Sequence, residues 1–129
     1  MAAPFFAPQL YIPNGTFNID FYINGMGAKE LRKFLNDDGS YHVSELLIDG
    51  AIFHLHEANK KKEQFDPIQT KGITTMIGLF VEDVDAVINK AVAAGATILE
   101  PAQDYDYGYR QGEFKDPFGH VWLIEKKIS

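Results

Sequence analysis

The chain has 129 residues, no cysteine and a formal net charge of −6. The length fits one domain, residues 1–129. The missing cysteines exclude disulfides, thiolate nucleophiles and cysteine-ligated zinc, and the acidic balance argues against a nucleic-acid partner, which needs clustered Lys and Arg. The basic run Lys60-Lys61-Lys62 is followed by Glu63 and reads as a solvated loop. The opening MAAPFFAPQL lacks a basic segment and is interrupted by Pro4 and Pro8, so it reads as a short tail. No stretch approaches the roughly 20 apolar residues of a membrane span, so no membrane partner is expected. With neither cysteines nor an export signal, a reducing cytoplasm is the expected location.

Residues 9 to 13 read as a short apolar strand. Asn14 stands as a helix cap, and the apolar positions Phe17, Ile19, Phe21, Tyr22 and Ile23 predict a helix of about ten residues. Gly25 and Gly27 stop it. Residues 28 to 35 have a helical composition, yet they lead into the turn Asn36-Asp37-Asp38-Gly39 and a ready strand partner, which makes strand the better reading. Tyr41 to Ile48 and Ala51 to Glu57 read as strands joined by the two-residue turn Asp49-Gly50.

Residues 58 to 71, rich in Lys, Glu, Asp and Gln, form a linker. A strand over 73–81 follows, then a helix from about Asp83 to Ala94. Its positions Val84, Val87, Ile88, Ala91 and Val92 share one face, and Gly95 ends it. A short strand over 97–99 precedes Pro101 and a loop. A hairpin closes the chain: 109 to 115, the turn Asp116-Pro117-Phe118-Gly119, and 120 to 125. Each half, about 7–57 and about 72–127, therefore reads β-α-β-β-β.

Four segments in this order resemble the vicinal oxygen chelate superfamily of glyoxalases, bleomycin-resistance proteins and dioxygenases. They are Ile19-Asp20-Phe21-Tyr22, the run Phe80 to Ala86, Ala93-Ala94-Gly95-Ala96, and the closing hairpin. The wording Phe118-Gly119-His120-Val121-Trp122 is closest to its PhnB-like branch. The resemblance implies an α+β fold of paired βαβββ modules, the sheets curled around a ligand cavity with the helices outside, and often a homodimer.

By strand alternation under that resemblance, Gln9, Tyr11, His54, His56, Met76, Phe80, Leu123 and Glu125 face the cavity, and Trp122 faces a helix. The superfamily's four metal-ligand places fall near Ala7, at His54, near Met76 and at Leu123. Ala and Leu offer no lone pair, and a thioether suits soft ions. The expectation is a metal-independent protein with no cofactor. It binds a small organic ligand among Gln9, Tyr11, His54, Met76, Phe80, Tyr107 and Leu123. The alternative is a metal-dependent lyase, isomerase or dioxygenase using a divalent ion at His54. His54 and His56 are the candidate catalytic residues, as general base or proton donor. Arg110 reads as a structural partner of Asp or Glu, and His42 and His120 as structural histidines.

Overall fold

The structure, a computed structural model, describes residues 2–129. Its first half runs β1 (Gln9–Ile12), a π-helical turn (Phe21–Gly25), β2 (Lys29–Leu35), β3 (Tyr41–Ile48) and β4 (Ala51–Glu57). The connecting segment holds a 3₁₀ turn (Lys60–Lys62) and a short helix α1 (Pro67–Thr70). The second half runs β5 (Ile77–Phe80), α2 (Val84–Ala93), β6 (Thr97–Tyr105), β7 (Tyr109–Lys115) and β8 (Val121–Lys127). Each half makes one four-stranded sheet, ordered β1-β4-β3-β2 and β5-β8-β7-β6. The pairs β1–β4 and β5–β8 are parallel and the rest antiparallel. This is the α+β architecture of paired βαβββ modules that the sequence led to.

Four elements differ from expectation. The first helix is a single π-helical turn, because the chain before it is tied down by other bonds. Thr16 Oγ1 donates to Pro13 O, Tyr41 N donates to Thr16 O, and Asn18 Oδ1 accepts from Asp20 N. Asn14 caps nothing; its amide donates to Glu57 and to Ala58 O. The linker contains α1, nucleated by Asp66 in a capping box with Gln69 and by Pro67 at the first position. β5 begins only at Ile77. β6 extends through Pro101 to Tyr105, with register shifts on both sides of Glu100. Proline is tolerated there because β6 is an edge strand.

One core joins the halves. Leu10, Ile12, Leu46, Phe53 and Leu55 of the first sheet meet Ile77, Phe114, Trp122 and Ile124 of the second, with Phe21, Tyr22, Val84, Ile88 and Ala91 from the helical elements. The Trp122 ring lies edge-on to Phe53 at 5.4 Å, as expected for a core residue. Its indole N–H donates to Asp116 Oδ2 at 3.0 Å, and Tyr22 Oη donates to the same oxygen at 2.6 Å. Asp116 Oδ1 accepts from Phe118 N and His120 N, so the buried carboxylate is fully occupied. No strand of one sheet pairs with a strand of the other. The sheets therefore touch through their helix-side faces, and they do not close into a barrel within one chain.

Candidate functional site

The face of the first sheet turned away from the core is set by period-two alternation. Phe53 and Leu55 are buried, so Ile52, His54 and His56 stand on the other side, beside Glu45 and Val43 of β3. His54 Nε2 lies 3.8 Å from Glu45 Oε1, and Arg32 Nε lies 3.6 Å from the other Glu45 oxygen. His56 Nε2 lies 2.6 Å from Gln9 Oε1. Gln9 Nε2 donates to Ala7 O, so its oxygen faces the ring and His56 Nε2–H is the donor. The Nδ1 lone pair of neutral His56 is then left free. Burial, then the neighbouring His54 and His42, lowers the His56 pKa below its ordinary value.

The second sheet's outer face follows the same rule. Trp122 and Ile124 point into the core, so Leu123 and Glu125 point out, with Gly78 and Phe80 of β5 and Tyr109, Gln111 and Glu113 of β7. Phe80, Tyr109, Tyr107 and Tyr105 form a run of rings, with successive centroids 5.9, 5.9 and 5.3 Å apart. Tyr107 Oη donates to Gln111 Oε1, and Gln111 Nε2 donates to Glu125 Oε1 at 2.8 Å. Arg110 lies on the opposite face. Asp85 of α2 grips it twice at 2.9 Å and Asp104 once at 3.0 Å, the structural role expected of it.

Between β1 and β5 runs a groove of about 550 Å³, lined by Gln9, Tyr11, Phe65, Met76, Gly78 and His120 among others. His120 Nε2 donates to Tyr11 O at 2.7 Å and fastens the two sheets at its floor. The seven expected lining residues are thus distributed over the surface. Gln9, Tyr11 and Met76 border the groove. His54 lies on the first face, and Phe80, Tyr107 and Leu123 lie on the second. The groove's lining includes neither His54 nor Leu123. Glu125 and Gln111 were absent from the expected ligand set. Alternation already put Glu125 on the face of Leu123, and Gln111 joins it as its register partner on β7.

The resemblance puts the superfamily's ligand places near Ala7, at His54, near Met76 and at Leu123, and these four side chains offer one nitrogen ligand between them. Ala7 and Leu123 have no donor atom, Met76 offers a thioether, and the one nitrogen, on His54, faces Glu45. Among the described residues no group of three or more His, Asp or Glu side chains is gathered as a metal would need.

Two open sheets of βαβββ order, with aromatic and polar outer faces and a groove at their junction, define a class of paired-module proteins. A model of the glyoxalase/bleomycin resistance protein/dioxygenase superfamily matches residues 9–124, and the chain belongs to that superfamily. An uncharacterized protein of Mycobacterium bovis is 31% identical over 128 residues, which span 97% of this chain and 84% of that one. Among solved structures, a gene product of Arabidopsis thaliana superposes with a TM-score of 0.71 at 25% identity, covering 95% of this chain and 98% of that one. TioX from Micromonospora sp. ML1 superposes with a TM-score of 0.69 at 23% identity, covering 98% of both chains. Membership supports a role in binding or transforming small molecules. No helix among the described residues is long and apolar enough to cross a membrane.

Proposed function

We propose that this chain is a metal-independent small-molecule-binding protein of the superfamily, working as a homodimer. The observation that carries the reading is the make-up of the outer faces. They combine rings and apolar side chains with a few placed polar groups, the usual composition of organic-ligand sites, while three of the four metal places carry no hard donor. The closing turn's wording supports assignment to the PhnB-like branch. Drug sequestration is one form this binding takes. The test is thermal denaturation against a panel of aromatic antibiotics and metabolites, in chelator. A ligand held well above its Kd raises Tm by several degrees, since about 100 Kd of ligand adds about 2.7 kcal/mol. A panel that leaves Tm unmoved counts against the reading.

One observation favours a second reading, a lyase or isomerase. Gln9 holds His56 in one tautomer with a free Nδ1 lone pair, beside His54 and Glu45. That is a base oriented by a neighbour. Metal analysis of protein purified without chelator separates the metal-using form of this idea: a stoichiometric divalent ion lost on His54→Ala would replace the first reading.

A further inference from the structure

Glu125 is only 7% exposed, yet its carboxylate is half used. Oε1 accepts from Gln111 Nε2 at 2.8 Å. Oε2 has no hydrogen-bond donor or ion-pair partner among the described residues. It is not fully buried, because every fully buried side-chain oxygen and nitrogen among the described residues has a partner. It also occupies the space beside Gly78, 2.8 Å from where a side chain there would begin. A largely desolvated carboxylate with a free oxygen calls for a donor, best a charged one.

The surroundings define what that donor is attached to. Phe80 is the register partner of Glu125 on β5 and is 60% exposed. Tyr109 meets Phe80 edge to face, and Tyr107 continues the row. Tyr107 Oη donates to Gln111, whose amide donates to Glu125, so carboxylate and rings share one neighbourhood; burial, Tyr105 and the charge of Glu125 hold the Tyr107 hydroxyl above its usual pKa. Glu113 and Glu100 lie on the same face as register partners. Lys115 and Lys127 stand at the strand ends and pair with none of these acids. On the first sheet the carboxylate is already met, since Glu45 lies against both Arg32 and His54.

We propose that this face binds a flat aromatic cation, its positive group on Glu125 Oε2 and its ring among Phe80, Tyr107 and Tyr109. The proposal rests on the small-molecule reading above and names the ligand class. Faces of aromatic rings attract cations, and a partly buried carboxylate adds a charge-assisted hydrogen bond.

The probes are 4-aminoquinoline, which at neutral pH is a flat cation with a ring N–H, and its neutral isostere 1-naphthylamine, titrated calorimetrically. The intact chain binds the cation about tenfold more tightly than the isostere, and E125Q erases that preference while changing the isostere's affinity by less than about twofold. Gly78→Ala, whose methyl group displaces Oε2 without altering the charge, weakens the cation in the same sense and serves if E125Q folds poorly. E113Q, on the same face, has a smaller effect than E125Q. Equal affinity for both probes overturns the cation proposal and leaves the binding reading standing. So does a preference that survives E125Q, or one that E113Q removes equally well. Binding of neither probe overturns the cation proposal and, with an unmoved ligand panel, the binding reading too.

Discussion

Asp116 illustrates how one side chain holds distant parts of the chain. It takes four donors: Tyr22 from the first half, Trp122 from β8, and the N–H groups of Phe118 and His120. Burial, and secondarily the Asp116 charge, keeps the Tyr22 phenol protonated by raising its pKa. Tyr22→Phe therefore removes a charge-assisted bond, and we expect a loss of about 1–3 kcal/mol in urea denaturation; an unchanged midpoint would show the bond to be idle. The His56 effect has a defined sign. Its folded pKa lies below the ordinary 6.5, so the folded state disfavours the charged ring. The associated stability is full above that value and is lost as pH falls through the lowered folded pKa. His56→Gln should therefore shrink the fall in Tm between about pH 7 and about pH 5. An identical fall in both proteins would contradict this. Residue by residue, the sequence exposed faces better than partners. Period two separated His54, His56, Leu123 and Glu125 from the core-facing Phe53, Leu55, Trp122 and Ile124, but nothing local told that His54 meets Glu45 or that Tyr107 reaches Gln111.

At the scale of elements, α2 shows why some segments were legible. Its apolar positions repeat at helical spacing, and Asp83 accepts from Ala86 N as its N-cap. The first helix failed the same test because Phe17 is 61% exposed and lies outside the core; propensity there yields to turn bonds at Thr16 and Asn18. In β6, Pro101 signalled an end to the strand, but an edge strand needs no donor on its free side. α2 lies close to β7 at Gly112. A methyl group there would meet Ile88 Cδ1 of α2 and the Ala102 backbone at 3.1 Å. Gly112→Ala should cost about 1–3 kcal/mol by pushing the helix off its sheet. Were it neutral, the packing between α2 and β7 would have to be looser than these distances.

For the whole molecule, the open faces bear on assembly. β2 leaves Leu31, Phe34 and Leu35 between 43 and 48% exposed, and Phe80 and Tyr107 are more exposed still. A lone chain seldom leaves so much apolar surface along a sheet. A twofold pair joined along β2 would bury Leu31, Phe34 and Leu35 and leave the Glu125 face to its ligand. Sedimentation should give twice the chain mass at micromolar concentration, and Phe34→Glu should shift it toward the monomer. A native chain that sediments as a monomer would remove the homodimer from the proposal.

The lock at Asp116 also has a direction. The turn between β3 and β4, at the corresponding corner of the first half, is the exposed pair Asp49-Gly50, with both residues in the left-handed region. It reverses the chain and, among the described residues, makes no hydrogen bond to another element. The turn between β7 and β8 reverses the chain and also clasps Tyr22 across the core. The halves repeat one outline, but they are not interchangeable. Two copies of the first half would have the tyrosine twice and no aspartate to receive it.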